Sequence, residues 1–177
     1  AVFAPPSGPG LIPFTAETAD GIEDHSQVTH EIRFSNSEPQ PVDWTAGLYI
    51  FDEELTISSF SYDTLANGIQ NGFALQTQDT QSWAIFGSVS TQLAENLTGS
   101  LGVRYTDDEK DLVAERFQTP VPFTGAADSL GPLTESVSDE QFSWDASLTY
   151  AVDENTNVFG RIARGYRAPS IQGRVLF

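Results

Sequence analysis

Apolar and polar residues alternate with a period of two in six separate stretches of this chain, and no stretch sustains a helical period. Successive side chains of a strand point to opposite faces, so this pattern calls for an all-β fold. The stretches lie at about 26–36, 42–62, 78–94, 97–116, 141–152 and 156–168. Their connections alternate in length. Ser37-Glu38-Pro39-Gln40-Pro41, Glu95-Asn96 and Asp153-Glu154-Asn155 are tight, whereas roughly 63–77 and 117–140 are long. In an antiparallel up-and-down meander, alternate connections fall at the same end of the sheet. All tight turns then lie at one end and both long loops at the other, as in bacterial outer-membrane barrels.

The faces of the strands give an independent reading. Val42, Trp44, Ala46, Leu48 and Ile50 share one face of the second stretch, opposite Asp43, Thr45, Gly47 and Tyr49. The third sets Trp83, Ile85, Gly87 and Val89 against Ser82, Ala84, Phe86 and Ser88. The fourth sets Leu97, Leu101, Val103 and Tyr105 against Thr98, Ser100, Gly102 and Arg104. The fifth sets Phe142, Trp144, Leu148 and Tyr150 against Ser143, Asp145, Ser147 and Thr149. Trp44 and Tyr150 sit beside tight turns, and Trp83, Tyr105 and Trp144 sit farther up their strands. Eight to twelve residues at ~3.3 Å each and ~40° tilt rise roughly 20–30 Å, which matches the ~25 Å apolar band of such a barrel. These five aromatics are therefore expected to form lipid-facing girdles. The polar faces are expected to line the lumen, with Asp43, Arg104, Asp145, Arg161 and Arg167 among the residues that do so. His30 on the apolar face of the first strand and Arg164 on that of the sixth are placed near the outer rim, where a polar head costs little.

Composition narrows the function classes. The net charge is −17, from 8 basic and 25 acidic residues. Nucleic-acid phosphates need the opposite balance, so no nucleic-acid partner is expected. With no cysteine there is no disulfide, thiolate metal site or cysteine nucleophile. The chain also lacks Met, so it is not expected to be an intact translation product. No apolar run approaches the ~20 residues of a membrane helix, which does not bear on membrane β-strands.

Five segments then resemble, in order, motifs of TonB-dependent receptors. Gln27-Val28-Thr29-His30-Glu31-Ile32-Arg33-Phe34 resembles their "SQELRL" strand. Asp43-Trp44-Thr45-Ala46-Gly47-Leu48-Tyr49-Ile50-Phe51-Asp52-Glu53 resembles "W-x-AGLYYF-x-E". Trp83-Ala84-Ile85-Phe86-Gly87 is similar to "YALFG", and Leu101-Gly102-Val103-Arg104-Tyr105-Thr106-Asp107-Asp108-Glu109-Lys110 to "GLRYT-x-E-x-K". Ala163-Arg164-Gly165-Tyr166-Arg167-Ala168-Pro169-Ser170 is similar to "A-x-GFRAP-S". The resemblance implies a 22-stranded transmembrane barrel around a plug, of which this chain supplies about six strands. It implies localisation in the outer membrane of a Gram-negative bacterium, among outer-membrane lipid. It also implies uptake of a small-molecule substrate, an iron chelate first and otherwise cobalamin, haem or carbohydrate, driven by the inner-membrane TonB complex through the plug. Residues 25–177 are assigned to the partial barrel and 1–24, rich in Pro, to a flanking loop. Neither a plug nor an energy-coupling box is found in the chain.

Other constellations are read structurally. The downstream "NPNL" box and the His of haem receptors do not follow Tyr166-Arg167-Ala168-Pro169. Asp52-Glu53-Glu54 and Asp107-Asp108-Glu109-Asp111 lack the Gly and terminal Glu of a calcium loop. His25 and His30, five apart on a strand, face opposite ways. No catalytic residue, cofactor or metal is therefore assigned, and no enzyme is expected. The competing readings are a small complete barrel with a structural or adhesive role, and a soluble β-sandwich binding module. Counting heights from the turns places Arg104 level with Asp145 on the neighbouring strand and suggests that they pair.

Overall fold

The computed structural model describes residues 18–38, 40–63, 68–118 and 129–171. Six strands follow one another: β1 (Thr18–Ser35), β2 (Val42–Asp63), β3 (Ile69–Ala94), β4 (Leu97–Gln118), β5 (Leu130–Asp153) and β6 (Thr156–Arg164). They form one open antiparallel sheet in the order β1-β2-β3-β4-β5-β6. A sandwich needs a second sheet facing the first, and the described residues form only one.

The ladder carries the period-two pattern across all six strands. Leu48 pairs with Ile32 and Ile85, Ile85 with Tyr105, and Tyr105 with Phe142. Val89 joins Trp44 to Leu101, and Leu101 leads on to Ala146 and then Ile162. One face is thus apolar from edge to edge. Its large side chains are open to the surroundings, among them Trp44, Leu48, Trp83, Ile85, Leu101, Leu148 and Tyr150, while Trp144 is half-buried.

Nearly all the burial lies on the opposite face. Ala74, Thr80, Ala84, Thr106, Asp108, Leu112, Ala114 and Arg116 are buried there without a second layer above them. A sheet that curls toward one face crowds the side chains on its concave side. The small residues Ala74, Ala84 and Ala114 allow that approach.

The strands are longer than expected, and both long connections shrink accordingly. β3 begins at Ile69 rather than near 78, and β5 at Leu130 rather than near 141. β1 reaches back to Thr18, so residues 18–24, expected as loop, pair with β2. Residues 1–17 and the terminal Phe177 lie outside the described residues. Conversely, β6 stops at Arg164, four residues short of the expected 168. The connections at one end span 36–41, 95–96 and 154–155, and at the other 64–68 and 119–129. The two ends differ mainly in how far the strands project, since ~9–11 residues suffice to cross a membrane and β2 to β5 have 22, 26, 22 and 24.

Candidate functional site

The polar face carries the charged and aromatic chemistry. Arg33, Gly47, Phe86, Arg104 and Ser143 lie along one row of the ladder from β1 to β5. Phe86 lies across β2 because Gly47 has no side chain. A Cβ on Gly47 would fall 2.4 Å from the ring's Cζ and 2.7 Å from the Ile32 carbonyl oxygen. The ring so placed lies between two cations. The Arg33 guanidinium is 5.8 Å from its centroid and the Arg104 guanidinium 5.7 Å. Arg104 also covers Tyr49 at 5.1 Å. Its Nε donates to Thr106 Oγ1 at 3.0 Å. Each such cation–π contact is worth ~0.5–1 kcal/mol when exposed and more when desolvated.

Two of the neighbouring charges are neutralised locally. Arg161 Nε lies 3.3 Å from Asp145 Oδ2, and Arg33 pairs with Glu31. Asp145 leans over Gly102, where a Cβ would meet its Oδ1 at 2.6 Å. Together these side chains line an open hollow of about 580 Å³, bounded by Arg33, Phe86, Ser88, Arg104, Asp145 and Arg161.

The expected residues therefore divide. Asp43, Arg104, Asp145 and Arg161 share the polar face. Asp43 accepts from Asn36 Nδ2 at 3.0 Å beside the first turn. Arg167 lies past the end of β6, off the ladder. The pairing of Arg104 with Asp145 does not form. The register sets Arg104 opposite Ser143 and Asp145 opposite Gly102, two residues from the expected alignment. The physical reason is barrel stagger: equal heights above different turns are not equal positions in the ladder. Asp145 is neutralised by Arg161 instead. Arg33, Tyr49 and Phe86 were not expected in the cluster. The available signal was an aromatic at a polar-face position with a glycine opposite it.

Trp44, Trp83, Tyr105, Trp144 and Tyr150 all lie on the apolar face. Trp83 and Tyr105 touch, with centroids 5.6 Å apart, and the Tyr105 hydroxyl donates to Glu140. This pair marks where the apolar face gives way to acids, because Asp52, Asp107, Glu109 and Glu140 begin there. Above it, Glu53 turns to the polar face and meets His25 Nε2 at 3.0 Å. His30 sits on the apolar face opposite Ile50, as expected. No group of three or more His, Cys, Asp or Glu among the described residues is placed to hold a metal ion.

Beyond β6, the chain returns toward the polar face. The Tyr166 hydroxyl is buried and makes no well-directed hydrogen bond. Burial, and then the neighbouring Asp108 carboxylate, raise its pKa above the ordinary value of 10.0.

A curled antiparallel meander with an apolar outside, a polar concave side and projecting strands is the wall of a β-barrel. The family model described as "TonB dependent receptor-like, beta-barrel" matches residues 7–176. The chain belongs to that family, which is one of receptor barrels rather than enzymes. Among solved structures it is similar to the ferric yersiniabactin uptake receptor FyuA from Yersinia pestis, at TM-score 0.65 and 17% identity. The similarity covers 77% of this chain and 20% of FyuA, so the chain spans about a fifth of that barrel protein. No curated protein matches the chain.

Proposed function

We propose that the chain is a section of the wall of an outer-membrane receptor that imports a scarce nutrient. One observation carries this reading: an apolar face continuous over six strands, edged by Trp44, Trp83, Tyr105, Trp144 and Tyr150, backs a face of hydroxyls and paired charges. The first face suits lipid, where an aliphatic band lies between two aromatic rows. The second suits a water-filled or protein-filled lumen. Asp43, Arg104, Asp145 and Arg161 then line that lumen. Arg167 joins them at the rim, because Tyr166 beside it turns toward Asp108.

The cargo we assign is an iron chelate of the siderophore type. Support comes from the family and from the fold shared with a siderophore receptor. Transport requires a plug and the TonB complex of the inner membrane, which would act through parts of the receptor outside this chain. The test is growth of the source bacterium on ferric siderophores as sole iron, with the gene intact, deleted, or intact in a TonB-deficient strain. The reading expects growth only in the first. Equal growth with the gene deleted, on every chelate tried, rejects the cargo.

A further inference from the structure

Above the Trp83–Tyr105 pair, the outward face turns acidic and then apolar again. Phe60, Phe73 and Phe117 stand directly opposite one another across β2, β3 and β4, on the same face as Trp83 and Tyr105. Phe73 lies ten residues beyond Trp83 on β3, which is roughly 25 Å at ~3.3 Å per residue and ~40° tilt. Phe60 and Phe73 touch, with centroids 5.4 Å apart. Phe117 is 51% exposed, and Val113 on the same face of β4 is 42% exposed. An open hollow of about 290 Å³ adjoins Phe73 and Phe117. The apolar band closes at the Trp83–Tyr105 pair and acids follow, so lipid chains do not cover this second row. Exposed aromatic patches of this kind mark contact sites.

Charge narrows what covers the row. Glu54, Asp79 and Asp111 lie opposite one another between Trp83 and the phenylalanines, and Glu115 lies between Val113 and Phe117. Among the described residues, no Lys or Arg shares the outward face of β2, β3 or β4. Like charges directly opposite are destabilising, and no cation on that face relieves them. A second copy seated here would set the same acids against each other, and phosphate-bearing headgroups are repelled in the same way. A protein that presents Lys and Arg around an apolar contact matches both features, an aromatic centre and a charged rim.

We propose that the outward side of the projecting β2–β4 strands is a docking surface for a basic protein at the cell surface. The partner seats an apolar side chain against the three phenylalanines and sets its cations on the acids below them. This rests on the reading that the projecting end lies outside the cell. The rings supply the desolvated centre of the contact. The acids steer the partner in and orient it.

The test uses the whole receptor in intact cells, with the photoreactive analogue p-benzoylphenylalanine in place of Phe117 as the probe. Irradiation should join it to a different protein, and peptide mass spectrometry should place the link in a Lys- and Arg-rich region. Phe73→Ala, and Asp111→Lys together with Glu115→Lys, should each cut the yield of that adduct roughly tenfold or more. Raised salt should lower it as well. The same probe in place of Leu101 should link to lipid in every variant, which reports that the barrel is folded. A link from residue 117 to another part of the same receptor, to a second copy or only to glycolipid overturns the docking surface. So does an adduct that neither variant weakens, or none while the Leu101 probe reacts. The orientation is read separately, by a membrane-impermeant maleimide on intact cells with Ile69→Cys in an otherwise cysteine-free receptor. An unlabelled site 69 refutes the outer-membrane reading, whereas a labelled one with no adduct at 117 refutes only the docking surface.

Discussion

Gly47 shows how strictly one residue can be required by its neighbours. Its φ is unremarkable, so the constraint is space: the Phe86 ring and the Ile32 carbonyl occupy the position of a side chain. Gly47→Val should cost about 1–3 kcal/mol, the range for overpacking, read as a lowered urea midpoint of the whole receptor refolded into bilayers. Adding Phe86→Ala should recover only part of it, because the Ile32 oxygen at 2.7 Å is backbone and stays. Tyr166 supports a different experiment. Its folded pKa is raised, so its contribution is fully present below the ordinary value of 10.0 and is lost as pH rises beyond it. Residues 165–171 should therefore loosen above about pH 10, seen as new protease cleavage there, and Tyr166→Phe should remove the pH dependence. Cleavage that rises equally in the Phe variant would show that another group controls the segment.

At the level of the strand, the two faces make opposite demands. Leu101 and Ser100 are adjacent on β4 and face opposite sides. Leu101→Arg should cost about 2–4 kcal/mol near the bilayer midplane, and Ser100→Arg much less, both measured by reversible folding into lipid vesicles. Equal costs would mean that neither face meets lipid. The same alternation is why the strand order, the pairing and the facing of residues 26–62 and 78–116 were legible in the sequence. The missed strand ends share a cause. Gly131-Pro132 reads as a turn, but it falls where the β4–β5 register shifts: Ala114 pairs with Leu133 and Arg116 with Leu130. A bulge absorbs a proline that has no N–H to offer the ladder. Asn71-Gly72 and Asp20-Gly21 are likewise punctuation residues inside strands. The Arg104 cluster was half legible: parity put Arg104 and Phe86 on one face, but stagger decided which residues became neighbours, and stagger has no local sequence signal.

The whole sheet explains the chain's solvent requirements. Its apolar face has no partner layer, and β1 and β6 each leave one edge unpaired among the described residues. Exposed edges template aggregation. Residues 1–177 expressed alone should stay soluble only in detergent, and a monodisperse monomer in plain buffer by light scattering would contradict this. In the proposed membrane setting, one face of this sheet meets lipid and the other does not. The most direct measurement is spin-label accessibility along β4 in the whole receptor in bilayers. This chain adds no cysteine of its own, so labels at single cysteines from 97 to 118 report one site each once the rest of the receptor is cysteine-free. Accessibility to oxygen should peak at 99, 101, 103 and 105, dip at 98, 100, 102 and 104, and give way to water-soluble relaxant access on the outward positions from 107 onward. A flat profile, or peaks at the even positions, would contradict it.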